Sequence, residues 1–80
     1  MNAEQPEIDE LEKRIRGYLR EHPSAADTLE GVAVWWLSGS AEGEWLENVR
    51  RAIEQLVARG EVARKTMVDG TVIYGRGEDR

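Results

Sequence analysis

The chain has 80 residues, 40% hydrophobic and 34% charged, with 16 acids against 11 bases and a net charge of −5. That length makes one domain with a thin core, and the composition is too apolar for a disordered chain. With no cysteine, disulfides, thiolate chemistry and Cys-ligated metals are excluded, and the single histidine, His22, has no second His to complete a metal site or a relay.

The longest apolar run, residues 32–37, is six residues long, whereas a bilayer span needs roughly 20. The start, Met1-Asn2-Ala3-Glu4-Gln5-Pro6-Glu7, is acidic and has no apolar stretch, so a secretory signal is not expected there. These features predict a soluble cytoplasmic protein without membrane contact.

The first predicted helix carries Ile8, Leu11, Ile15, Tyr18 and Leu19, one stripe of an amphipathic helix. Glu7, Asp9, Glu10 and Glu12 crowd its first turns, and Arg16 and Arg20 lie near its end, as the helix dipole favours. Pro6 is placed to open it and His22-Pro23 to close it. Gly17 costs about 1 kcal/mol relative to Ala, and a close helix contact there would explain it.

The second helix starts at Asp27-Thr28-Leu29-Glu30, which reads as a capping box with Asp27 as the cap and Glu30 reaching back. Leu29, Val32, Ala33, Trp36 and Leu37 follow as its stripe, and Ser38-Gly39-Ser40 ends it. Trp35 lies off that stripe, so it cannot share the core equally with Trp36. The third helix begins within residues 40–44 and carries Trp45, Val49, Ala52, Ile53 and Leu56. Trp45 is expected in the core, and Gly60 is a C-terminal stop in the left-handed region. Two β-type runs then flank Asp69-Gly70, a two-residue hairpin signal that would pair Val68 with Thr71 and Lys65 with Tyr74.

This order predicts an α+β domain: a three-helix bundle with a C-terminal two-stranded antiparallel hairpin, over residues 7–75. The ends, 1–6 and 76–80, are expected to be disordered. The predicted core is Ile8, Leu11, Ile15, Leu19, Leu29, Val32, Ala33, Trp36, Leu37, Val49, Ile53, Leu56, Val57 and Val62.

The third helix from Val49-Arg50-Arg51 to Gly60-Glu61-Val62, followed by Asp69-Gly70 and Val72-Ile73-Tyr74, resembles the recognition helix and wing of winged helix-turn-helix domains. Many bacterial transcriptional regulators share that plan. The resemblance covers residues 8–75. It implies that the third helix enters the major groove and that the hairpin touches the backbone. Asn48, Arg51 and Gln55 would then read bases from one helical face. Arg50, Arg64, Lys65 and Arg76 would meet phosphates.

The charge pattern points elsewhere. Residues 21–49 hold Glu21, Asp27, Glu30, Glu42, Glu44 and Glu47 and no Lys or Arg, a block of about −6 where a duplex would approach. The preferred reading is therefore a binding module that contacts a protein partner, or itself, through Asp27, Glu30, Trp35, Glu42 and Glu44, since exposed tryptophan anchors interfaces. DNA binding is the alternative. A basic face formed jointly by Arg50, Arg51, Arg64, Lys65 and Arg76 would favour DNA, and acids interrupting that face would favour a protein partner. No enzyme, cofactor or small-molecule substrate is expected. Ser24, Ser38 and Ser40 are cap or loop residues, and Gly39 and Gly43 lack the Lys of a phosphate loop.

Overall fold

The computed structural model describes residues 6–77. In chain order these form α1 (Pro6–Glu21), β1 (Ala26–Asp27), α2 (Leu29–Gly31) running directly into a π-helical stretch (Val32–Trp36), α3 (Gly43–Ala58), β2 (Val62–Thr66) and β3 (Val72–Arg76). Of the ends expected to be disordered, 1–5 and 78–80 lie outside the described residues. Pro6 begins α1 and Arg76 ends β3.

The hydrophobic stripes of α1 and α3 pack on each other. Ile8, Leu11, Ile15 and Leu19 meet Val49, Ala52, Ile53 and Leu56 in one buried cluster, joined by Val32, Ala33, Trp36, Leu37, Val62 and Tyr74. Leu29, Val57 and Trp45, expected inside, are only partly buried against this cluster. Ala52 and Tyr74 take core places that the expected set lacked. Gly17 makes no close helix contact: a Cβ there would find nothing within 4 Å.

The start of α2 also differs from expectation. Its cap is Thr28, whose hydroxyl accepts the Gly31 amide at 3.1 Å. Asp27 belongs to β1, and its Oδ1 accepts the Thr28 amide at 2.8 Å. Moving the cap by one residue frees Asp27 to pair as a strand. Its carboxylate then fills the space beside Gly31, where an added Cβ would lie 1.9 Å from Oδ1.

The end of α3 follows the sequence. Gly60 has φ +82°. Its amide donates to Val57 O at 3.0 Å and the Glu61 amide to Leu56 O at 2.9 Å, the paired bonds of a Schellman stop.

Two corrections concern the sheet. It has three antiparallel strands in the order β1-β3-β2, not two, because Ala26 and Asp27 pair with Gly75 and Tyr74. The hairpin register is also shifted by one residue: Thr66 faces Val72, Lys65 faces Ile73 and Arg64 faces Tyr74. Met67 N donates to Thr71 O and Gly70 N to Met67 O, closing a three-residue loop of Val68, Asp69 and Gly70. Gly70 supplies the left-handed residue at φ +95°, as such loops require. Asp69 accepts the Thr71 amide at 2.9 Å, and that bond holds its carboxyl below the ordinary value of 3.8. A one-residue shift exchanges strand faces. Here it places Val62 on the same face as Tyr74, so both buried side chains of the hairpin meet the helices.

Candidate functional site

On the outer side of α3, Asn48 is half-buried, and Arg50, Arg51 and Gln55 are exposed. The two arginines converge on one acid. Arg50 Nη2 donates to Glu47 Oε1, and Arg51 Nε lies 3.9 Å from Glu47 Oε2. Over its length α3 carries Glu44, Glu47 and Glu54 against Arg50 and Arg51, so three acids less two bases leave −1. The positive charge that phosphates would need is already balanced on the helix itself.

The hairpin does not extend that face into one basic surface. Arg64 and Lys65 are consecutive strand residues, so they stand on opposite sides of the sheet. Lys65 joins Ile73, Ala63 and Gly75 on the side turned from the core, beside Pro23 and Ser24. Arg64 is on the Tyr74 side. Arg76 sits at the opposite end of β3 from the loop and faces Val62. Lys65 is thus turned away from Arg64 and Arg76, and Glu47 interrupts the two bases of α3.

The acidic segment is organised differently. Trp36 is buried and stacks on Tyr18, with ring centroids 4.7 Å apart and planes within 11°. Trp35, its neighbour, is 74% exposed. The wide turn separates them. Leu37 N donates to Val32 O at 3.1 Å, an i→i−5 bond that turns Val32, Ala33, Trp36 and Leu37 inward and leaves Trp35 outside. Such turns recur at functional positions. Glu30, Glu42 and Glu44 are exposed on the same acidic segment. Asp27 is the exception, since its carboxylate is half-buried and engaged by the Thr28 amide.

Several residues of consequence were not singled out from sequence. Arg14 donates to Leu37 O at 2.8 Å, and its guanidinium carbon lies 6.0 Å from the Trp45 ring centroid. It therefore closes the carbonyl end of the wide turn. On the opposite side of α1, Glu12 is 4% exposed. Its Oε1 accepts Arg59 Nη1 at 2.9 Å and lies 3.8 Å from Arg16 Nη2. Arg16 Nε also donates to Glu61 Oε1 at 2.5 Å. That bond holds the Glu61 carboxyl below its ordinary value and the Arg16 guanidinium above its own.

Beyond this network opens a cleft of about 310 Å³ lined by Arg16, Leu19, Arg20, Pro23, Glu61, Val62 and Arg76. The i, i+4 spacing of Arg16 and Arg20 puts them on one side of α1, but only folding brings Glu61 and Arg76 to them.

Among the described residues no group of three or more His, Asp or Glu is arranged to hold a metal ion, and no helix is long and apolar enough to cross a membrane. No protein-family model, curated protein or solved structure matches the chain.

Proposed function

We propose that the chain is a winged helix-like, non-catalytic binding module whose partner is a protein, contacted through the acidic face that carries Trp35. The observation that carries this reading is the exposure of Trp35, at 74%, in a segment with no Lys or Arg from 21 to 49. An exposed indole offers a large apolar contact at little conformational cost, and Glu30, Glu42 and Glu44 would select a basic counterpart. The pairing of Arg50 and Arg51 with Glu47 argues against a duplex as the main ligand.

A titration of labelled mixed-sequence duplex DNA at about 50 mM salt, where electrostatic binding is strongest, separates the alternatives. The expected result is no saturable binding. Micromolar binding that weakens steeply at higher salt would overturn the proposal and restore Asn48, Arg51 and Gln55 as a base-reading face. A photo-crosslinking residue placed at 35 should form protein adducts in cells, and the same residue at the exposed position 54 should form few. Equal or absent adducts at both positions would also count against it.

A further inference from the structure

The two flanks of α1 meet different parts of the fold. On one flank, the side chains of Arg14 and Tyr18 meet the wide turn that presents Trp35. On the other, Glu12 and Arg16 meet Arg59 and Glu61, and Arg16 and Arg20 border the cleft. Residues 16 and 18 are two apart, about 200° around a helix, so the element bearing Trp35 and the cleft lie on opposite sides of α1. Among the described residues the cleft has a floor of Leu19, Val62 and Pro23 and a rim of Arg16, Arg20 and Arg76 with the acid Glu61. It is concave, apolar at its base and, among the described residues, lined by more bases than acids. Trp35 is projecting and apolar, in a segment, 21–49, whose exposed acids include Glu30, Glu42 and Glu44 and which holds no Lys or Arg.

We propose that this cleft is a binding site for the Trp35 face of a second copy of the chain. The indole would lie on Leu19 and Val62 with a guanidinium of the rim over its ring, a pairing in which Arg is favoured. The exposed acids of the incoming segment, Glu30 among them, would face Arg20. A cleft of about 310 Å³ is near the lower end of ligand-holding pockets and accepts one large side chain. Because the two surfaces lie on opposite sides of α1, one partner does not fill both, so the contact is head-to-tail and copies would add into rings or open chains rather than stop at a symmetric pair. A single anchor buries less than a standard interface, so association should be weak, on the order of 0.1–1 mM.

This inference rests on the reading that the Trp35 face is a protein contact, and its test separates the two. In sedimentation velocity the full chain should grow in mean mass with concentration, less so at high salt. Trp35→Ala and Arg20→Glu should each weaken association at least about tenfold. Both residues are exposed, and an unchanged melting temperature confirms that each variant folds. Mixed together, the two variants should recover one contact. The Trp35 of the Arg20→Glu chain then enters the cleft of the Trp35→Ala chain, and growth stops at a 1:1 pair.

A mixture that stays monomeric while the wild-type chain associates would overturn the head-to-tail site. So would a wild-type chain that is monomeric throughout this concentration range. If crosslinks from position 35 to other proteins persist in that case, the protein-contact reading stands and only the second copy is excluded.

Discussion

The indole Nε1 of Trp45 donates to the carbonyl oxygen of Ala33 across 3.1 Å. The same oxygen accepts the Gly39 amide at 2.9 Å. One carbonyl at the wide turn thus holds both the connection to α3 and the tryptophan of α3. Trp45 is half-buried rather than central, and its polar edge determines its position as much as its apolar faces do.

Gly39 is the residue that lets Trp45 reach Ala33. A Cβ at Gly39 would lie 1.9 Å from Trp45 Nε1. Gly39→Ala should therefore cost about 1–3 kcal/mol by forcing the indole aside. In urea unfolding, adding Trp45→Phe should recover part of that loss, because the smaller ring vacates the space. A fully additive double variant would show that the two residues do not meet.

Gly17 lies in mid-helix with nothing within 4 Å of where a Cβ would be. Gly17→Ala should stabilise the domain by about 0.5–1 kcal/mol, raising the melting temperature by a few degrees in a chain this small. A lower melting temperature would mean that the α1 surface is packed where the structure leaves it open.

Glu12 and Arg59 should respond unequally to removal. Among the described residues Glu12 Oε2 is buried with no hydrogen-bond partner, and Oε1 depends on Arg59. Arg59→Met strands a buried carboxylate and should cost about 1–3 kcal/mol. Glu12→Met leaves a half-exposed guanidinium that water can solvate, so its cost should be clearly smaller. Equal losses in chemical denaturation would show that the pair acts as an ordinary surface bridge.

The Arg16–Glu61 bond sets a pH dependence. Glu61 titrates below its ordinary 4.5 because Arg16 donates to it. Its contribution is therefore complete above 4.5 and is lost as pH falls through the lower folded value. The effect is small, since the carboxylate is exposed to solvent screening. Glu61→Gln should be slightly less stable than wild type near neutrality, and the two should converge in acid. A constant gap across that range would remove the ion pair as the cause.

How far the sequence reaches depends on whether a feature is local. The stripes of α1 and α3, the stop at Gly60 and the off-stripe position of Trp35 follow from helical period and backbone sterics, which nearby residues determine. The adjacency of Trp35 to Trp36 implied only that the two could not share the core equally, a partly buried flank being the plainer expectation for Trp35, and the structure instead leaves it 74% exposed. Hairpin register was not legible, because Asp69-Gly70 serves a two-residue or a three-residue loop equally well. Burial of Val62 with Tyr74 selected the second.

The third strand needed Asp27 to leave its expected cap for a pairing with Tyr74, 47 residues later. The Glu12–Arg59 bond likewise spans 47 residues, and the Arg16–Glu61 bond 45. The sequence by itself determined which faces the helices bury, where α3 stops and how charge divides along the chain. Only the tertiary structure decided which distant charges meet and where a basic cleft opens, because those depend on packing between elements rather than on the period within one.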